Sequence, residues 1–89
     1  MKLTKYKLQK GFVVQRYPKK LVLFDSETSS MYTLNETARF IFDRIKKGLE
    51  KKKIIADLAK RYAIAESRAR KDVEDIFTNF LKHKIVKRV

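Results

Sequence analysis

The apolar positions of this chain change rhythm part-way along it. In "SSMYTLNETARFIFDRI", residues 29–45, they fall at every second place up to Leu34 (Tyr32, Leu34). From Ala38 onward they fall at helical spacing: Ala38, Ile41, Phe42, Ile45. A period of two belongs to a strand and one near 3.6 to a helix, so a strand passes into a helix within a residue or two. Asn35 stands at the switch. Its side-chain carbonyl can accept from an orphan N–H of the first helical turn, and Glu36 sets negative charge at the positive end of the helix dipole. The spacing therefore predicts a strand over Met31–Leu34 and a helix from Glu36 to about Lys47, stopped at Gly48.

The same reading extends to both sides. "GFVVQRYPKKLVLFD" holds two short apolar runs, Phe12–Arg16 and Leu21–Phe24, around Tyr17-Pro18-Lys19-Lys20. Val and Phe favour strands and Pro suits the second place of a turn, which predicts a β-hairpin. With Met31–Leu34 after the polar Ser26–Ser30, it makes a three-stranded antiparallel meander. A second helix is predicted from about Lys51 to Tyr62 (Ile54, Ile55, Leu58, Ala59, Tyr62 on one side) and a third from about Glu66 to His83 (Ala69, Val73, Ile76, Phe77, Phe80, Leu81). Only Ala63-Ile64-Ala65 separates them. The expected fold class is α+β: a three-stranded antiparallel sheet followed by three helices, the last two paired like a winged helix-turn-helix. Residues 1–10 read as a basic N-terminal arm, 11–86 as the domain and 87–89 as a basic tail, with "KIV" as a short apolar clip before it.

Composition narrows the class. The 89 residues suit one domain, and 44% hydrophobic content with ten Tyr and Phe suffices for a folded core. The absence of cysteine removes disulfides and thiolate chemistry, and with no long apolar stretch or signal segment it points to a cytoplasmic protein. Net charge is +13, and the first twenty residues hold seven basic groups and no acid. Such a field attracts polyanions and acidic peptides. A solvated lysine-rich surface, as in heat-adapted proteins, is the competing explanation.

Candidates for catalysis are few. His83 is the only histidine and has no cysteine to share a metal with. Asp72, Glu74 and Asp75 cluster, but Arg68, Lys71 and Asn79 stand near them on the helix, which reads as a salt-bridged, solvated surface. Two glycines cannot form a phosphate loop, and no base is placed to activate a serine or threonine. The chain reads as a non-catalytic binding protein without a cofactor or metal.

Two surfaces compete for the binding role. Arg68, Arg70 and Lys71 near the start of the third helix suit DNA, whereas Asp72, Glu74 and Asp75 would set like charge against phosphates, and no face is uniformly basic. A nucleic-acid-binding winged helix is thus the alternative. The other surface is the edge of strand Met31–Leu34. In a meander it pairs on one side only, and it carries no lysine or proline to block further pairing. An unguarded edge beside a helix is a docking groove for an extended peptide. The chain's own ends covering that edge, or a second copy pairing with it, are the competing occupants.

"YTLNETARFIFDRIKKG", "IIADLAKRYAI" and "ARKDVEDIFTNFLKHKIV" together resemble the PqqD family, small proteins of pyrroloquinoline quinone (PQQ) biosynthesis. Its fold also serves as the precursor-peptide recognition element of many ribosomal peptide pathways. The resemblance spans roughly Gly11 to Val86; its most telling parts are Leu34-Asn35-Glu36-Thr37-Ala38 and Asp72-Val73. It implies a peptide chaperone that holds the leader of a precursor as an added strand and presents it to a modifying enzyme. That enzyme would be a radical S-adenosylmethionine (SAM) enzyme, a cyclase or a leader protease. Carried over by position, the resemblance implies backbone contacts at Ser30, Met31, Tyr32 and Thr33 and a groove wall of Arg68, Ala69, Asp72, Val73 and Ile76. Arg68 and Asp72, four apart, would either grip charged leader residues or pair with each other. The chain departs from the family in being far more basic, and "GLEKKKI" replaces a polar turn with a lysine run. Both features suit an acidic leader or an acidic partner enzyme. A monomer and a homodimer both fit the open edge.

Overall fold

The computed structural model describes residues 6–88. Five strands and three helices follow in the order β1 (Tyr6–Leu8), β2 (Phe12–Arg16), β3 (Leu21–Asp25), β4 (Ser30–Leu34), α1 (Glu36–Lys46), α2 (Lys51–Tyr62), α3 (Glu66–Lys82) and β5 (Val86–Arg88). The meander forms as the apolar pattern requires. Strands β2, β3 and β4 make an antiparallel sheet in that order, with Leu23 opposite Val14 and Tyr32 and with Leu21 opposite Arg16 and Leu34. The fold is α+β, as expected.

Alternation along β3 shows which face the helices cover. Leu21 and Leu23 are wholly buried beneath the helices, while Phe24 is exposed on the other face. The helices close the core with Ile41, Phe42 and Ile45 of α1, Ile54, Ile55 and Leu58 of α2, and Ala69, Val73, Phe77 and Phe80 of α3. The edge of Phe80 meets the Phe42 ring at 6.4 Å, an arrangement that aligns the two ring quadrupoles.

The strand-to-helix switch is capped as Asn35 predicts. Its backbone is extended, and its Oδ1 accepts the Ala38 N–H at 2.9 Å. At the far end Gly48 takes φ +82° and donates to the Ile45 carbonyl at 2.9 Å, closing α1 one turn tightly. Between α2 and α3 the stop falls on Ala63, at φ +50°, a left-handed conformation with some steric cost for a residue bearing Cβ.

The ends of the chain differ from expectation. Tyr6–Leu8 lies within the expected arm, yet it forms β1 and pairs antiparallel with β5, Leu8 opposite Val86 and Tyr6 opposite Arg88. Tyr6 is buried with its ring edge-on to Phe77 at 4.5 Å, and Ile85 and Val86 are buried too. Of the apolar clip only Val86 enters this second, two-stranded sheet, and Lys87 and Arg88 of the expected tail complete its strand. Residues 1–5 of the arm and Val89 lie outside the described residues. Alternation over three residues is too short to register as a strand; burial of Tyr6 and Val86 against α3 and α1 is what holds it.

Candidate functional site

Strands β1 and β5 pair with each other and not with the meander. Among the described residues, β4 therefore has β3 on one side and no strand on the other. Alternate residues of an antiparallel strand turn their N–H and C=O groups outward, so this edge presents a row of unused ladder partners. β2 is likewise an outer strand. The two edges differ in what stands beside them. Thr33 and Leu34 at the end of β4 share a groove with Ile76, Asn79 and Phe80 of α3, whereas Arg16 on β2 reaches down to Asp43 of α1, nitrogen to oxygen 2.9 Å.

The groove is about 900 Å³, within the range of sites that enclose ligands, and its floor is apolar. Leu34 and Phe80, both nearly fully buried, and Ala38 form that floor. One wall is the flank of α3 bearing Asp75, Ile76 and Asn79; the other is the hairpin tip, Tyr17-Pro18-Lys19-Lys20. The tip is held in place. Tyr17 N–H donates to the Lys20 carbonyl at 2.9 Å, and the Arg39 guanidinium of α1 donates to the carbonyls of both Tyr17 and Lys20, the latter at 3.2 Å. Further along β4, Tyr32 lies between Phe12 and His83, its ring 4.8 Å from the imidazole. His83 is the C-cap of α3, so its ring bridges the end of the helix and β4.

The expected contact residues separate into four groups. Ser30, Met31, Tyr32 and Thr33 constitute β4 itself; Met31, 66% exposed, points to the outer face of the sheet, and Tyr32 points to the helices. Ile76 stands on the groove wall. Ala69 and Val73, expected there too, are 0% exposed and belong to the core. α3 is rotated so that its 69–73–77–80 stripe faces inward, and these two side chains support the wall from behind. Arg68 and Asp72 line a separate small pocket with Thr37, Leu58, Tyr62 and Ile64, and they do not pair with each other. Nor is the acidic cluster salt-bridged as a whole. Glu74 meets Lys51 of α2 at 2.6 Å, but Asp72 and Asp75 make no ion pair among the described residues.

Asp75, Asn79 and the hairpin tip were not legible as wall residues. Positions 72, 75, 76, 79 and 83 do share one flank of a 3.6-residue helix, next to the buried stripe. That flank was the available signal; the hairpin left none, because its approach to α3 is a tertiary matter.

A family model described as "Coenzyme PQQ synthesis protein D (PqqD)" matches residues 20–86. The chain belongs to the PqqD family. Two solved structures share its fold. One is described as TbiB1 in complex with the TbiA(beta) leader peptide: TM-score 0.85, 15% identity, 91% of this chain and 94% of that one. The other is lasso peptide synthetase B1 complexed with the leader peptide, with TM-score 0.85, 20% identity, 93% of this chain and 98% of that one. No curated protein matches the chain at a significant level. The match to the family spans β3 through the start of β5, and so includes β4 and α3 but only Lys20 of the hairpin-tip wall.

Proposed function

We propose that this PqqD-family protein is a non-catalytic peptide chaperone that binds the leader segment of a ribosomally made precursor and presents it to a separate modifying enzyme. The leader adds as a strand to β4, its backbone using the outward N–H and C=O groups of Ser30–Leu34, with an apolar side chain seated in the groove against Leu34, Ala38, Ile76 and Phe80. The observation that carries this reading is a β4 edge unpaired among the described residues, beside an apolar groove, in a fold shared with two proteins described in complex with leader peptides. The enzyme that takes the peptide onward is a radical SAM enzyme, a cyclase or a leader protease.

A nucleic-acid role is less well supported. Asp72, Glu74 and Asp75 lie on exposed or half-exposed positions of α3, where a recognition helix would meet phosphates. No helix of the described residues is long and apolar enough to cross a membrane, in keeping with work in the cytoplasm.

The test is an NMR titration of the labelled protein with the N-terminal segment of a precursor peptide encoded beside its gene. Amides of Ser30–Leu34 and of the flank 75–79 should shift together and saturate. Shifts confined to Arg68, Arg70 and Lys71 on adding random duplex DNA, with none on adding peptide, would replace this reading with the nucleic-acid one.

A further inference from the structure

The groove's two walls carry opposite charge, and they do not neutralise each other. On the hairpin side Lys19 and Lys20 are exposed and meet no carboxylate among the described residues. On the helix side Asp75 is equally without an ion pair, next to Asn79. The cations are presented from a held backbone. Pro18 fixes its own φ, Tyr17 and Lys20 close the turn, and Arg39 grips both of their carbonyls from α1. The Lys20 ammonium lies 5.2 Å from the centre of the Tyr17 ring, which further restricts where it sits. Between the walls lies the apolar floor. A strand lying along β4 would therefore place one side chain over Leu34 and Phe80, then pass the hairpin tip as it leaves the edge.

Building on the leader-binding reading, we propose that this groove selects its peptide by charge order as well as by an apolar anchor. The preferred segment carries a bulky apolar side chain for the floor and a carboxylate two to four residues away, on the side that leaves past Lys19 and Lys20. At about 3.3 Å per residue, that spacing carries the carboxylate from the anchor out to the tip. A hydrogen-bond donor or cation near the anchor meets Asp75 and Asn79. A uniformly basic segment is repelled at the tip and by the net charge of +13. A uniformly acidic one is attracted by that net charge but sets a like charge against Asp75, which costs it part of the gain. Lys19 and Lys20 are thereby specificity-determining residues. Whether the carboxylate precedes or follows the anchor in the selected sequence also reports whether the guest strand runs parallel or antiparallel to β4.

The test needs no knowledge of the natural precursor. A displayed library of random twelve-residue peptides is selected on the immobilised full chain, on Lys19→Glu/Lys20→Glu, on Asp75→Lys and on Met31→Pro. For the unsubstituted chain, Asp or Glu should be enriched on one fixed side of a bulky apolar position. The double lysine variant should convert that preference to Lys or Arg. In solution, replacing the selected carboxylate by Gln should weaken binding roughly 1.5- to fivefold at physiological salt, as exposed ion pairs do. Lys19→Glu alone, which leaves the Lys20–Tyr17 contact in place, should give part of the effect if the double variant folds poorly. An apolar anchor with no charge preference, or a preference unchanged by the lysine swap, overturns the charge readout and leaves strand addition standing. Equal selections on the unsubstituted chain and on folded Met31→Pro overturn both.

Discussion

Replacing Asn35 by Ala tests the junction on which β4, α1 and the groove all depend. The carboxamide oxygen is the acceptor for the Ala38 N–H at 2.9 Å, and the Arg39 N–H keeps its own acceptor, the Asn35 backbone carbonyl, at 2.8 Å. The substitution thus orphans one donor and leaves the rest of the first turn intact. Loss of such a cap costs about 1 kcal/mol. In a domain of this size, that lowers Tm by roughly 4–8 °C. Asn35→Gly should lose only a few tenths of a kcal/mol, and Asn35→Asp, which keeps the acceptor and adds charge at the positive helix end, should match the unsubstituted chain or exceed it slightly. Urea unfolding of all four proteins is the assay, with equal slopes required so that midpoints report stability alone. Ala, Gly and Asp variants of equal stability, or an Ala variant within about 0.3 kcal/mol of the original, would refute the capping argument.

Other expectations concern the groove. Met31→Pro should weaken leader binding at least tenfold while circular dichroism stays native, because Pro removes an N–H and stiffens the strand, and the Met31 side chain is mostly exposed. Unchanged affinity in a folded variant would move the site elsewhere. Val73→Ala should destabilise by about 2 kcal/mol, as two buried methyl groups are lost, yet leave the affinity of the folded protein for leader within about twofold; a selective loss of affinity would place Val73 back in the contact surface. Phe24→Ser, on the opposite face of the sheet, should not alter leader binding measured by fluorescence anisotropy. Affinity for an acidic leader should fall as salt rises from 0.05 to 0.5 M, on the order expected for a few screened charges, and a flat response would remove electrostatics from the account.

Much of this fold was legible residue by residue. The alternation at Tyr32 and Leu34, the cap at Asn35, the stop at Gly48 and the apolar stripes of the three helices are local patterns, set by backbone geometry and side-chain chemistry within a few residues. They determined the order of elements and the presence of a strand edge without lysine or proline. The same patterns, with the family resemblance, led to β4 and to Ile76. Local pattern was silent or misleading where distant parts of the chain meet. Three residues at Tyr6–Leu8 become a strand only because Val86–Arg88, about eighty positions later, come alongside. Ala69 and Val73 are core residues, as their place in the apolar stripe implies; it was the family resemblance that set them in the groove wall. The groove itself has a hairpin tip on one side and a helix flank on the other, brought together through Arg39 and the shared floor. Periodicity specifies which face of each element is apolar, and so what must be buried. Where two faces stop short of contact and leave space for a guest depends on how all the elements pack at once, and only the tertiary structure decided that.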